Sequence, residues 1–505
     1  MPAKTFSAAL HGIDAKIIEV EADISHGLHS FSIVGLPDKS VDESKDRVNS
    51  AIKNSGFTPP KKTNQKITIN LAPANIKKEG SSYDLPIALS YLLASKQIFF
   101  DAKEKVFVGE LALDGKVRPV NGVLSIVSAA KENGFKKMIV PKENFKEANL
   151  IKNIDIIPIG TLYECIDYLK GTFFPKMEEI KEAPAEESVA DDFDFCYVKG
   201  QEQAKRALEV AASGGHNILM SGPPGSGKTM LAKAFLTILP ELTEKERIET
   251  TKIYSIAGKL KDREYLVTKR PFRSPHHSSS LIALTGGGQH AKPGEVSLAH
   301  NGVLFLDEFP EFQKNAIEAL RQPLEDKEIT VSRAYGSFSY PANIILIATQ
   351  NPCPCGYFNT GQKECICSMQ NILRYQKKIS GPILDRIDIQ VEVPMVEHEK
   401  LTEKKLSEKS ADIKSRIEMA RKIQNERLRA ENISKNSEMN HPQIKKYCEL
   451  EKDSEMFLKQ IAENNSISAR SYYKIIKLAR TIADLEEEKK IKMRHLAEAV
   501  QYRIK

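Results

Sequence analysis

The 505 residues are 41% hydrophobic and 28% charged, which is enough apolar material for genuine cores and for about three domains of ordinary size. A formal net charge of +7 permits a nucleic-acid partner without requiring one; no apolar run is long enough to cross a membrane and no charged-then-apolar leader opens the chain, so a cytoplasmic protein with no membrane partner is expected. The seven cysteines are then thiols or metal ligands and not disulfides.

Residues 1–172 are read as the first domain. Within it, "EGSSYDLPIALSYLLAS" and "VGELALDGKVRPVNGVLSIVSAAKENGFKKMIVPKEN" resemble the proteolytic domain of Lon and its inactive relatives. That resemblance implies an α+β, ribosomal S5-like fold. It also places Tyr83 where the catalytic serine belongs and Leu124 at the catalytic lysine, so both members of the dyad are missing. Ser81 and Ser82 are close by, but a serine without a positioned base is a poor nucleophile. The domain is therefore expected to serve oligomer contacts or DNA guidance. Residues 173–195, "FFPKMEEIKEAPAEESVADDFDF", are acidic, contain prolines and show no periodicity, and they read as a linker.

Residues 196–398 carry the strongest signal. In "NILMSGPPGSGKTMLAKAF" an apolar strand runs into Gly222, Pro223, Pro224, Gly225, Ser226, Gly227, Lys228 and Thr229, and a helix opens at once, which fits G-x-x-x-x-G-K-[ST] in its required context. Backbone N–H groups and the helix N-terminus suit the phosphates of ATP, Lys228 the β/γ oxygens, and the Thr229 hydroxyl a Mg²⁺ ion. About 80 residues on, "GVLFLDEF" reads as a buried strand ending in Asp307, expected in the Mg²⁺ shell, and Glu308, expected to polarise the attacking water. A further strand, "NIILIATQNP", ends in Asn351, whose amide is placed to face the γ-phosphate. Arg386, in a short loop of "ISGPILDRIDIQVEVP", suits an arginine finger offered to a neighbouring subunit.

Two insertions in this core could touch DNA. "LTGGGQHAKPGEVSLAH" has three consecutive glycines, Gly286 to Gly288, followed by His290 and Lys292, and reads as a mobile loop. "DKEITVSRAYGSFSYPAN" reads as a hairpin with Arg333 and Tyr335 near its tip, suited to a phosphate oxygen and to a sugar or base. The His276/His277 pair is not read as a metal site, because adjacent histidines diverge on regular structure. In contrast, Cys353, Cys355, Cys365 and Cys367 cluster as C-x-C, nine residues, C-x-C, a thiolate set suited to a structural Zn²⁺ with no open position.

Residues 399–505 show helical spacing and are expected to form an all-helical lid. In "NSISARSYYKIIKLARTIADL" a Ser-x-Ser cap places Arg470 in the first turn of a helix.

Taken together, these motifs resemble an AAA+ ATPase, with a parallel α/β core. "LRQPLEDKEITVSRAYGSFSYPANIILIATQNPCPCG" and "LTGGGQHAKPGEVSLAHNGVLFLDE" are closer still to the Mg-chelatase-like branch, specifically the YifB/ComM family, and the likeness covers nearly the whole chain. It implies a homo-oligomer, a hexameric ring that uses ATP and Mg²⁺ to move branched or single-stranded DNA, with branch migration in recombination or natural transformation as the family's work. It also implies that Arg470 is a second sensor of the γ-phosphate, in cis or from a neighbour. A chelatase-type ATPase that remodels a protein partner is the alternative, and a Lon-like protease is disfavoured by the missing dyad.

Overall fold

The computed structural model describes residues 2–62, 64–176, 193–260, 265–288, 291–333, 336–361, 363–396, 406–464 and 467–503, with Arg333 placed by its backbone only. Tyr335 and His290, assigned above to DNA-facing loops, lie outside the described residues, as do the Arg333 side chain and most of the acidic linker.

The N-terminal part opens on a four-stranded sheet in the order Ala3–His11, Asp14–His26, Gln65–Ala72, Ser30–Val34, antiparallel except for the last pair. Alternation of side chains across the sheet gives it two apolar faces. Ile18, Val20 and Ala22 pack with Leu85 and Leu89 of the helix Asp84–Ala94. Ala8 packs with Val123, Ile126 and Val127 of the helix Val123–Glu132. Three short parallel strands, Lys105–Phe107, Lys137–Pro141 and Asp155–Ile159, complete this part. Tyr83 and Leu124 are both core residues here, at 1% and 0% exposure, so neither position faces solvent as a catalytic group must.

The core is a five-stranded parallel sheet in the order Phe272–Arg273, Val303–Leu306, Ile345–Gln350, Ile218–Ser221, Ile389–Glu392. In chain order this is second, third, fourth, first, fifth. The stretches 218–220, 303–306 and 345–348 are apolar throughout because both faces are covered. Ile218, Met220, Val303 and Phe305 face the helices Glu202–Gly214 and Lys228–Ile238, while Leu219, Leu304, Leu306 and Leu346 face the opposite side with Phe309 and Leu320. Phe195, which composition places at the end of the linker, is fully buried in the first of these cores. Asp194 beside it caps a short 3-10 turn and accepts the Ser410 N–H. Segments of such mixed composition hide a packed residue because one buried ring is decided by tertiary contact and not by local pattern.

The C-terminal segment is helical: Ser410–Leu428, His441–Tyr447, Lys452–Asn464, Ala469–Leu485 and Met493–Gln501. Its helices bury their apolar faces in the same core as the P-loop helix. Buried ion pairs fix their arrangement. Asp484, wholly buried, accepts from Arg427 Nη1 at 2.7 Å, Arg480 Nε at 3.1 Å and Asn436 Nδ2 at 2.8 Å. Lys474 Nζ meets Asp388 at 2.6 Å, and the Asn217 N–H donates to the same carboxylate at 3.0 Å, so the helix Ala469–Leu485 is pinned to the edge of the sheet. No helix among the described residues is long and apolar enough to cross a membrane.

The glycine run Gly286–Gly288 differs from the mobile-loop reading. Gly286 and Gly287 pair antiparallel with Pro293 and Lys292, and a Cβ on Gly286 would lie 2.6 Å from the Lys292 carbonyl and 2.7 Å from the Gly294 nitrogen. Gly286 allows two backbones to touch, which composition alone does not distinguish from mobility. The expected hairpin is formed, by Glu328–Arg333 and Gly336–Pro341. Its second strand touches the N-terminal part: the Phe338 ring lies 4.9 Å from that of His11, and the backbone of Ser339 crowds Gly12.

Candidate active site

The strand Ile218–Ser221 ends in the phosphate loop, and the helix Lys228–Ile238 starts from Gly227 at φ +89°, a left-handed turn that glycine adopts freely. Gly222 is needed for close approach: a Cβ there would lie 2.1 Å from the Val393 carbonyl. The helix N-terminus and the loop N–H groups together form a ready anion cradle.

Lys228 is 9% exposed. Its Nζ donates to the Gly222 and Pro223 carbonyls, at 2.8 Å each, and lies 3.4 Å from Asn351 Oδ1. Burial lowers its pKa, partly offset by the charges of Asp307 and Glu308. Asp307 follows the strand Val303–Leu306, and its Oδ2 accepts the Thr229 hydroxyl at 3.1 Å. Glu308 has φ +51°, a strained conformation for a side-chain-bearing residue and one that clusters at functional sites. Thr349, at the tip of the strand that precedes Asn351, fixes this turn: its hydroxyl donates to Asp307 and accepts the Glu308 N–H at 3.1 Å.

The structure thus brings Lys228, Thr229, Asp307, Glu308 and Asn351 to one end of the parallel sheet. It does not bring Arg386 or Arg470 there. Arg386 precedes the strand Ile389–Glu392, whose first residue pairs with Ile218, and its carbonyl accepts from Asn217 at 3.3 Å. A whole strand, about 13 Å at the usual rise, separates it from the loop after Ser221. Ser468 caps the helix Ala469–Leu485 as expected and puts Arg470 in its first turn. Both guanidinium groups end on one carboxylate, Glu325, with Arg386 on Oε2 and Arg470 on Oε1.

Two contributors escaped the reading of the sequence, and a third, His277, was considered there only as a metal ligand. Thr349 was legible only as a polar residue ending an apolar strand. Glu325 sits in "LRQPLEDKE" with no local mark. His277 Nδ1 lies 3.5 Å from Glu308 Oε2, and the His276 and His277 rings are 4.0 Å apart, so the pair stacks instead of diverging because it lies outside any regular element.

The four sulfurs of Cys353, Cys355, Cys365 and Cys367 lie within 4.8 Å of one another. Sγ of Cys353 is 3.3 Å from that of Cys355 and 3.7 Å from that of Cys365. Zn–S bonds of 2.3 Å in a tetrahedron put sulfurs about 3.8 Å apart, so this donor set fits Zn²⁺. The knuckle is close to the nucleotide site: Cys353 stands two residues after Asn351, and a Cβ on Gly356 would lie 2.5 Å from the Pro224 ring.

A parallel sheet with a phosphate loop after its first strand and an acidic pair after its third defines a P-loop nucleotide-binding core. Residues 194–401 match the family described as magnesium chelatase, subunit ChlI; residues 20–144 match subunit ChlI of Mg-chelatase, and residues 407–503 match the ChlI C-terminal segment. The chain is 42% identical to the competence protein ComM of Haemophilus influenzae, with 99% of this chain and 97% of that protein covered. It is also 42% identical to the uncharacterized protein YifB of Escherichia coli, over 97% of this chain and 95% of the relative. Over 28% of its length it is 33% identical to Lon protease 2 of Bacillus subtilis, covering 26% of that enzyme. The chain belongs to the Mg-chelatase-like AAA+ ATPases, in the YifB/ComM family.

Proposed function

We propose that the protein is an ATP-hydrolysing motor that assembles as a hexameric ring and moves branched or single-stranded DNA, with branch migration of the ComM type as its work. The observation that carries this reading is the division of the catalytic groups between two faces. Lys228, Thr229, Asp307, Glu308 and Asn351 meet at one end of the sheet, while Arg386 and Arg470 meet at the other. A pocket that lacks its arginines is completed by another copy of the same chain, and repetition of that heterologous contact closes a ring.

Within the pocket, Lys228 binds the β/γ oxygens of ATP from its buried post under the loop. Thr229 and Asp307 would hold Mg²⁺, which supplies charge neutralisation on the phosphates. Glu308, held in its turn by Thr349, accepts a proton from the attacking water, and the Asn351 amide orients that water. Arg386 of one copy stabilises the charge that develops on the phosphoryl group bound by the next. The four cysteines would hold Zn²⁺, which closes the knuckle as a structural site. The hairpin Glu328–Arg333/Gly336–Pro341 and Lys292 supply the DNA contacts, by phosphate binding and stacking.

The test measures ATP turnover and strand movement by the purified protein on three- and four-way junctions beside linear duplex. Stimulation by branched or single-stranded DNA with strand movement is expected. Stimulation by a protein partner alone would replace this reading with a chelatase-type remodelling ATPase.

A further inference from the structure

Glu325 belongs to the short helix Arg321–Asp326 and is about half exposed, yet its two carboxylate oxygens are taken by two different guanidinium groups. The Arg386 guanidinium is held in place independently of it, and the backbone that carries Arg470 is fixed nearby. Arg386 Nε donates to the Arg321 carbonyl at 3.2 Å and Nη1 to the Pro382 carbonyl at 2.8 Å. The segment bearing Arg470 is tied to the loop bearing Arg386 by Arg503, which donates to Ser471 Oγ at 2.8 Å and to the Ile387 carbonyl. One fixed cation, Arg386, and a second carried on an anchored helix end, Arg470, therefore converge on one pair of anionic oxygens, an arrangement that two oxygens of a phosphoryl group would also satisfy.

We propose that Glu325 is an internal latch on a two-arginine site whose true ligand is the terminal phosphate of ATP held by the next copy of the chain. This rests on the ring reading given above and deepens it by naming the group that the phosphate must displace. In the absence of a triphosphate, Glu325 neutralises both arginines and keeps the face closed. A γ-phosphate carries more charge than a carboxylate and has three free oxygens, so it outcompetes Glu325. A diphosphate ends one phosphate short of the face and leaves the latch in place. Glu325 is thus a positioning residue that makes subunit association depend on the γ-phosphate.

The test follows the protein concentration at which the full-length chain assembles with a non-hydrolysable ATP analogue, or with ADP, by mass photometry. Glu325→Gln removes the competing charge at a half-exposed position. Its assembly midpoint with the analogue is expected to fall by about threefold or more, since an exposed ion pair is worth a few-fold at each contact. Adding Arg386→Ala and Arg470→Ala to Glu325→Gln should cancel the gain, which a merely structural effect of residue 325 would not explain. A midpoint in Glu325→Gln that is unchanged or higher overturns the latch while leaving the ring standing. Assembly of neither protein with the analogue overturns the ring reading and the latch together.

Discussion

The Thr229 hydroxyl donates to Asp307 Oδ2 across 3.1 Å, so the first turn of the P-loop helix and the tip of the acidic strand meet at a single point. Lys228 and Glu308 stand on either side of that point with separable tasks. Lys228→Ala should weaken ATP binding by about 10- to 100-fold, the worth of charge-assisted hydrogen bonds to phosphate. Glu308→Gln should leave binding intact and slow hydrolysis by about 10² to 10⁴. Titration with a fluorescent ATP analogue beside phosphate release separates the two, and equal nucleotide affinity in wild type and Lys228→Ala would remove the phosphate-loop assignment.

Spacing of the four sulfurs leads to a stoichiometry. The purified protein should carry about one zinc per chain, bound by Cys353, Cys355, Cys365 and Cys367. Elemental analysis of the wild type and of a variant with all four changed to serine decides the matter. Zinc that persists at full occupancy in the variant would place the site elsewhere.

The placement of Arg386 at the end of the sheet opposite the phosphate loop bears on which subunit it serves. Arg386→Ala should bind ATP and lose hydrolysis by about 10³ or more. Mixed with Lys228→Ala, it should recover some ATPase, because one chain supplies an intact pocket and the other an intact finger. Mixed rings without any activity, or normal turnover by Arg386→Ala alone, would return Arg386 to the role of a structural cation.

A pH dependence follows from His216, which is fully buried beneath the C-terminal helices with Nε2 2.8 Å from Thr481 Oγ1 and Nδ1 3.7 Å from Asp388. Burial lowers its pKa below 6.5, outweighing the pull of Asp388; Lys477 and Lys474 lower it further. The folded state therefore resists a proton that the unfolded chain accepts, and stability falls as pH drops through 6.5. His216→Gln should flatten this part of a melting-temperature profile between pH 7.5 and 5.5. A difference profile that stays level across that range would show that His216 does not titrate as argued.

What local pattern reveals here is whatever a few neighbouring residues must do together. The phosphate loop, the acidic strand and Asn351 each need an apolar strand followed at once by a polar tip, and the paired C-x-C steps need only short separations. Glu325 joins Arg386 and Arg470 across 61 and 145 positions, and nothing near it announces the pairing. The same holds for Asp388, whose partners His216 and Lys474 come from either side of it in the chain. Gly286 is a different case: its backbone contact with Lys292 and Gly294 and a freely moving loop leave the same trace in composition.

The contact between His11 and Phe338 gives the hairpin a mechanical character. A two-stranded ribbon rooted only in the core sheet bends along its whole length when its tip is loaded. Here the ring of His11 and the close backbone at Gly12 prop the second strand from the side. The bending span is shortened to the part beyond Phe338, and stiffness of a beam rises steeply as its free length falls. Load applied at the tip is therefore shared with the N-terminal sheet, which acts as a buttress and makes the hairpin a stiff lever rather than a spring.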